Sequence, residues 1–249
     1  MPIKTFRRAA LLFVLCSGAC LTAAIAGEPG KAVRTEKGMT LVVPAEHASL
    51  GRVYYVLPGK DAQVTFDSDA PLEHIKGISN KVVGYAAGPA APAAGAAPVV
   101  RGQFNLPVNT LDTGIPMRNE HLQSDQWMDA KSFGDVIFTL NDVADAKVAK
   151  QDAGFTTYEA TLVGVMTIKG VSKDVRVPAR IVVMPETEKT KVRAPGDLLA
   201  IRSSFAVKMS DYGVAKGNPG MDSGKVADDL KLDVSLFLST VSPETPPKK

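Results

Sequence analysis

The residues best suited to chemistry are two Asp-hydroxyl-Gly triplets, Asp112-Thr113-Gly114 and Asp222-Ser223-Gly224. An aspartic protease builds its centre from two such segments, because two carboxylates sharing one proton can activate a water. The surroundings oppose that reading. The strand before such an aspartate is strongly apolar, whereas Val108-Asn109-Thr110-Leu111 is mixed. The second triplet lies in residues 216–229, a stretch rich in glycine, proline and charge. Both triplets read as turns. The three histidines are His47, His74 and His121. None has a second histidine at the spacing that puts two ligands on one face, so no metal site is expected. Each has a glutamate beside it (Glu46, Glu73, Glu120), which fits a solvated position. No G-x-S-x-G, phosphate-binding loop or G-x-G-x-x-G occurs. Nothing in these patterns calls for an enzyme or a cofactor.

Both cysteines, Cys16 and Cys20, lie in the first 26 residues. That segment reads as a secretory signal peptide. Lys4, Arg7 and Arg8 form its charged start, Ala9 to Cys16 its apolar core, and Ala24-Ile25-Ala26 a small-x-small cleavage site before Gly27. A membrane anchor fits less well, because the apolar run is short and broken by Ser17, Gly18 and Thr22. A lipid attached at Cys20 would call for a leucine where Ser17 stands. The expected mature chain therefore has no thiol, which excludes disulfides, thiolate metal sites and cysteine nucleophiles. The whole chain has 29 Lys+Arg and 26 Asp+Glu, but three of those bases and no acid sit in the leader. The mature chain is formally neutral and has no basic cluster, so it is a poor partner for nucleic acid.

The elements that must hold any site are strands. Leu230, Leu232, Val234, Leu236 and Leu238 alternate with Lys231, Asp233, Ser235 and Phe237. That period of two marks a half-buried strand. The pattern recurs at Val64 and Phe66, at Phe104, Leu106 and Val108, and at Val136, Phe138 and Leu140. It recurs again at Tyr158, Ala160, Leu162, Met166 and Ile168, where Gly164 leaves a gap in the apolar face, at Val177, Ala179, Ile181 and Val183, and at Phe205, Val207 and Met209. Turn signals divide these runs: Pro58-Gly59-Lys60-Asp61, Asp152-Ala153-Gly154, Lys169-Gly170 and Pro195-Gly196-Asp197. Many strands separated in this way predict an all-β sandwich or barrel. Helix is expected only within residues 115–131, with Ser124 and Asp125 capping a second turn. Residues 86–98 hold eight alanines, three prolines and two glycines, and read as a surface loop insertion. Residues 242–249 read as a disordered tail.

Five segments in order carry a resemblance. Arg101-Gly102-Gln103-Phe104, Leu111-Asp112-Thr113-Gly114 and Arg118-Asn119-Glu120-His121-Leu122 resemble the "G-x-F", "S-x-D-T-G" and "R-D-x-H-L" motifs of the YceI family. Residues 161–173, containing Leu162-Val163-Gly164 and Lys169-Gly170-Val171-Ser172-Lys173, are similar to its "G-x-L-T-I-x-G-V-T-K" hairpin, and Met209-Ser210-Asp211-Tyr212-Gly213-Val214 to its "R-S-D-F-G-I". The likeness covers residues 53–240. Asn119 stands where the family has an acid, Met209 where it has arginine, and Gln126-Trp127-Met128-Asp129 where an aromatic pair before aspartate is common.

The resemblance implies an extended antiparallel β-barrel, lipocalin-like, of about eight strands with a short helix near one end. The implied organisation is a leader at 1–26, an N-terminal extension at 27–52, a barrel domain at 53–241 interrupted at 86–98, and a tail at 242–249. It implies an exported lipid-binding protein, periplasmic or secreted, whose apolar lumen holds an isoprenoid chain such as a quinone tail or polyprenyl lipid. It leaves the oligomeric state open, a homodimer included. Under it Phe104, Leu106, Phe138, Leu140, Leu162, Met166, Ile168, Phe205 and Val207 are the candidate lumen residues. Arg118 and His121 are expected to pin the helix and its loops. Two other readings stay open: a stress- or adhesion-associated barrel with a filled core and no ligand, and a hydrolase acting on a bound lipid.

Overall fold

A computed structural model describes residues 32–35, 38–89, 99–152, 154–214 and 219–243. The leader, both cysteines, residues 90–98 of the Ala/Pro-rich stretch and residues 244–249 of the expected tail lie outside the described residues. The elements are β1 (Ala32–Thr35), β2 (Gly38–Leu41), α1 (Ala45–Ala48), β3 (Arg52–Val56), β4 (Val64–Asp69), β5 (His74–Ser79) and β6 (Val83–Gly88). After them come β7 (Arg101–Pro107), α2 (Pro116–Gln123), β8 (Asp135–Asp152), β9 (Phe155–Ile168), β10 (Val171–Met184), α3 (Glu188–Lys191), β11 (Leu198–Lys208), α4 (Pro219–Asp222) and β12 (Asp229–Ser239).

Ten strands, β3 to β12, make eight walls. β3 and β4 both pair with β12, through Val56 opposite Leu238 and through Val64–Ser68 opposite Val234–Leu230. Between them the Leu57 amide donates to the Phe237 carbonyl at 2.8 Å, and the Ser235 amide to the Gln63 carbonyl at 2.8 Å. The two strands are therefore halves of one wall, interrupted at Pro58-Gly59-Lys60-Asp61. β6 pairs with β3 and β5 with β4, so they form the second broken wall. On its far side β6 pairs with β7, while Ile78 of β5 exchanges two backbone hydrogen bonds with Asp112 beyond the end of β7. The walls then run in chain order from β7 to β12, all antiparallel, and β11 pairing with β12 over its whole length completes the circle. The result is a closed eight-walled antiparallel barrel. Closure gives every wall a neighbour on both sides, so the one-faced apolar alternation is buried inside without a free edge.

Side chains stitch the two breaks together. Gln63 is buried, donates through Nε2 to the Leu57 carbonyl (3.0 Å) and accepts at Oε1 from the Val82 amide (2.8 Å). Asn80 reaches the carbonyls of Gly59 and Lys60 from the other break. The barrel thus has two tiers. The tier of β3 and β6 is filled: Tyr54, Ala86, Leu140, Val143, Ala160 and Leu238 pack there as one cluster. The connections β4–β5, β7–β8, β9–β10 and β11–β12 all lie at the other end. One is the two-residue turn Lys169-Gly170, with φ of 48° and 75° at its two residues, which glycine and a tight hairpin accommodate.

Two expectations are corrected. Within residues 115–131, helix is confined to Pro116–Gln123, where proline at the start suits a first helical turn. Ser124 ends it rather than capping a second turn, and its carbonyl accepts from the Trp127 and Asp129 amides in a tight loop. The single turns α1, α3 and α4 add helix outside that stretch, too short to show a period in the sequence. The first residues of the Ala-rich stretch are strand, not loop: Ala86 and Ala87 pair with Gly102 and Arg101 and are buried. Their small side chains let the neighbouring wall and the N-terminal segment approach closely. That segment, within the expected N-terminal extension, has structure of its own. β1 pairs with β2, and Leu41 and His47 cover the outer face of β6, packing on Tyr85, which is fully buried.

Candidate functional site: the lumen and its mouth

The tier of β4 and β5 encloses a cavity of about 340 Å³. Its floor is Val82, Leu162, Val177, Ile201 and Leu236. No described residue of β3 or β6 lines it, which places it beside the filled tier and open toward α2. Such a volume falls within the about 300–1,000 Å³ of ordinary ligand sites.

Eight of the nine sequence-predicted residues line this cavity: Phe104, Leu106, Phe138, Leu162, Met166, Ile168, Phe205 and Val207. Leu140 does not. It is 2% exposed and faces Gly102 and Gly164 inside the filled tier, one step of the strand beyond Phe138. Phe104 and Phe138 stack with ring centroids 6.4 Å apart and planes at 23°. Gly164, the gap in the alternating face of β9, has a purpose here. A β-carbon on it would lie 2.9 Å from the Phe138 ring, so glycine lets that ring lie flat against the wall. The lining also includes residues outside the nine lumen candidates: Phe66, Ile75, Trp127, Met128, and Leu230, Leu232, Val234 and Leu236 of β12. The β12 residues carry the clearest alternation in the chain, so their signal is present. Trp127 and Met128 come from the loop after α2, where no periodicity marks them.

The mouth is built by α2, the β4–β5 turn and the loop before β12. Arg118 of α2 forms an ion pair with Glu73 of the turn. The Leu72 amide donates to the Gly224 carbonyl at 3.1 Å, and the Ala227 amide to Ser68 Oγ at 2.9 Å, which ties the loop to the same turn and to the end of β4. Arg118 therefore fastens the helix to a neighbouring loop. His121 lines the mouth without a ring hydrogen bond among the described residues.

Asp112 is engaged as a turn residue. Its Oδ1 accepts from Asn119 Nδ2 and from the Gly114 amide, both at 2.8 Å. Asn119 Oδ1 in turn accepts from the Thr113 amide and hydroxyl at 2.8 and 2.7 Å. The Asn119 bond, then the Gly114 amide, hold the Asp112 carboxyl below its usual range. Asp222 ends α4 in the mouth loop. An ionised Asp at 119 could not donate to Asp112, so the asparagine suits this knot of bonds.

Buried polar groups lie elsewhere. On the outer face of β6, His47 Nδ1 bonds Tyr85 Oη at 2.8 Å, while His47 Nε2 has no partner among the described residues. Burial lowers the His47 pKa, and it pushes the Tyr85 hydroxyl up to about 12. Among the described residues no three His, Cys, Asp or Glu side chains converge as metal ligands.

The fold is similar to that of Burkholderia cenocepacia BcnA, with 24% identity and a TM-score of 0.53 over 73% of this chain and 98% of that one. It is also similar to a polyisoprenoid binding domain from Saccharophagus degradans implicated in plant cell wall breakdown, with 15% identity and a TM-score of 0.50 over 76% and 99% of the two chains. At these identities the likeness speaks to the fold. No curated protein matches the chain. The YceI-like domain, by contrast, matches residues 54–238, which spans β3 to β12 and both tiers. With the walls, the mouth helix and the Asp112 turn all in place, this chain belongs to the YceI family.

Proposed function

We propose that the protein is an exported, non-enzymatic carrier that holds a long isoprenoid chain, a quinone tail or polyprenyl lipid, in its lumen. The observation that carries this reading is the 340 Å³ cavity, apolar in its floor and almost throughout its walls, with its charged residues at the mouth, inside a barrel whose other tier is filled. A filled-core barrel would place side chains in that space. The Saccharophagus degradans domain, named for polyisoprenoid binding, supports the same reading.

Magnitudes make a purely apolar grip sufficient. An isoprene unit has five carbons, and burying one gains at most about 4 kcal/mol at ~0.8 kcal/mol per carbon. Association costs ~4–15 kcal/mol, so about four units offset the upper value. No reacting group is needed for that.

The test is organic extraction of the purified, exported protein followed by mass spectrometry. A co-purifying prenyl lipid, together with an intact mass that starts at Gly27, is the expected result. Failure to find or to bind any added polyprenyl lipid would leave the carrier reading without support. A mass that retains residues 1–26, or a lipid on Cys20, would overturn the export step.

A further inference from the structure

We propose that the protein docks mouth-first on the surface of a phospholipid bilayer, through apolar side chains that ring the opening of the lumen. The proposal rests on the carrier reading for what the opening must meet, and it adds an interaction surface which that reading does not contain.

Leu72, Ile115, Met117, Phe133 and Val171 are exposed apolar residues, and Leu72 and Met117 show 71% and 66% of their surface to solvent. All five belong to the mouth end. Leu72 is in the β4–β5 turn, Ile115, Met117 and Phe133 are in the β7–β8 connection, and Val171 follows the Lys169-Gly170 turn. The Phe133 ring lies against that turn, since a β-carbon on Gly170 would be 2.4 Å from its Cε1. None of the five lines the cavity. Core packing therefore does not account for them, and holding them in water forgoes the gain of burial. Apolar exposure gathered at one end marks a contact surface.

The elements that carry these tips also carry lumen residues. Glu73, next to Leu72, lines the cavity, and so does Leu122 of the helix that bears Met117. Ile168, which also lines it, is directly opposite Val171 across the turn. Hydrocarbon leaving a bilayer would pass from the tips to the lumen wall without crossing water. That continuity fits a lipid surface.

The backbone at the tips suits a dry neighbour. The Leu72 amide donates to the Gly224 carbonyl, the Phe133 amide donates to the Asp129 carbonyl at 2.8 Å, and the Ile115 carbonyl accepts from the Asn119 amide at 3.0 Å. The side chains can enter the interface without stripping water from these groups. Lys169 Nζ donates to the Asp125 carbonyl at 2.7 Å and so ties two of the three connections together. A fluid surface accepts such separate tips, whereas a protein partner must match their shape. The walls stay in water, because Arg180, Arg202, Lys231 and Asp233 are exposed on their outer faces. The rim mixes charges of both signs, Arg118, Lys169 and Lys225 with Glu73, Glu120 and Asp125, so apolar insertion drives the contact.

The experiment floats the full mature protein with cargo-free phosphatidylcholine vesicles. Wild type should float with them at low and at high salt alike. Leu72→Gln combined with Met117→Gln should lower the vesicle partition coefficient at least about tenfold, which corresponds to ~1.4 kcal/mol. Circular dichroism checks that α2 survives. Val192→Gln, at the opposite end on a side chain 89% exposed, should float as wild type does. A short prenyl alcohol in solution forms a second arm, read by the fluorescence of Trp127, the single tryptophan and a lining residue. The double variant should bind it as wild type does.

Prenyl binding without flotation of the wild type would overturn the docking proposal and leave the carrier reading standing. Flotation that only the rim variant loses, without prenyl binding, would uphold the docking surface and remove the carrier reading. Flotation lost equally in Val192→Gln, or confined to anionic vesicles and abolished by salt, would overturn the proposal by making the contact unspecific adsorption. A rim variant that floats unchanged but turns from dimer to monomer in sedimentation would overturn it as well, by assigning the ring to a second copy of the chain.

Discussion

The ring of Phe66 occupies the space that a β-carbon on Gly77 would need. Such an atom would lie 2.2 Å from the ring Cζ and 2.4 Å from Cε1, and its three nearest neighbours all belong to this one side chain. The two residues are directly opposite on β4 and β5. Glycine therefore lets an aromatic ring lie against the wall, where it contributes apolar surface without crossing the lumen. Gly77→Ala should push the ring inward. The protein should remain folded with a loss of ~1–3 kcal/mol from overpacking, and prenyl-chain binding should weaken. Adding Phe66→Leu should restore binding. Lipid titration of the two variants decides this, and unchanged binding in Gly77→Ala would show that the ring does not shape the lumen.

Phe138 rests on Gly164 and stacks on Phe104, but one side of it faces the cavity. In a solid core Phe→Ala costs ~3–5 kcal/mol. In lipid-free protein Phe138→Ala should cost clearly less than that. With a polyprenyl lipid present the deficit should grow, because ligand-linked stabilisation falls with affinity. Urea unfolding with and without lipid measures both quantities. A full-sized loss in the lipid-free protein, with no lipid-dependent shift in either form, would fit a filled core.

Asn119→Asp should make the Asp112 turn sensitive to pH. The wild-type Asp112 carboxyl is held below its usual range, so its contribution is present above about pH 4, the unfolded value, and is lost as pH falls through the lower native value. In the variant a second carboxylate replaces the Nδ2 donor and faces Asp112. The variant should be less stable than wild type at pH 7, and the gap should narrow near pH ~3.5 as one carboxyl takes up a proton and can donate. Denaturant midpoints at the two pH values test this; a gap that does not narrow at low pH would argue against charge repulsion.

His47 gives the covering N-terminal segment a pH limit. Its native pKa is lowered, first by burial, from the ordinary 6.5, with Glu46 opposing and Arg101 adding to the shift. The unfolded chain therefore binds a proton that the native chain refuses. Stability is fully present above about pH 6.5 and declines as pH falls from there toward the native value. His47→Asn keeps a side-chain partner for the Tyr85 hydroxyl and has nothing to titrate. The stability difference between about pH 7.5 and about pH 5.5 should shrink in that variant, as read by thermal or urea unfolding.

The walls were legible in the sequence because period two is imposed by the pleat itself. Leu230 to Leu238 could face inward only as they do, and Lys169-Gly170 could serve only as a tight turn. Leu140 shows the limit of that signal. Alternation tells which face of β8 is inward, but not at which height a filled tier gives way to a cavity. That height is set by the breaks at residues 58–61 and 80–82, and by the Gln63 side chain that spans them, none of which is periodic. The mouth was legible only in part. Arg118 and His121 stood in a recognisable motif, whereas Glu73 and Lys225 come from loops and meet the helix only through long-range ties.

The paired breaks in adjacent walls also divide the molecule mechanically. Below them, β3 and β6 belong to a base closed by packed side chains; above them, β4, β5 and the mouth loops form a rim around the cavity, joined to the base by Gln63, Asn80 and the walls that run past both breaks. The mouth loops are held to β4 and its turn by a few bonds, Arg118 to Glu73, Leu72 to Gly224 and Ala227 to Ser68, so their parting exposes less packed surface than unfolding the walls and belongs to the low-energy end of local unfolding. Residence time of a bound molecule is then governed by the rim, and lifetime of the fold by the base. A change that hardens the base would lengthen the survival of the folded chain without slowing the exchange of its cargo.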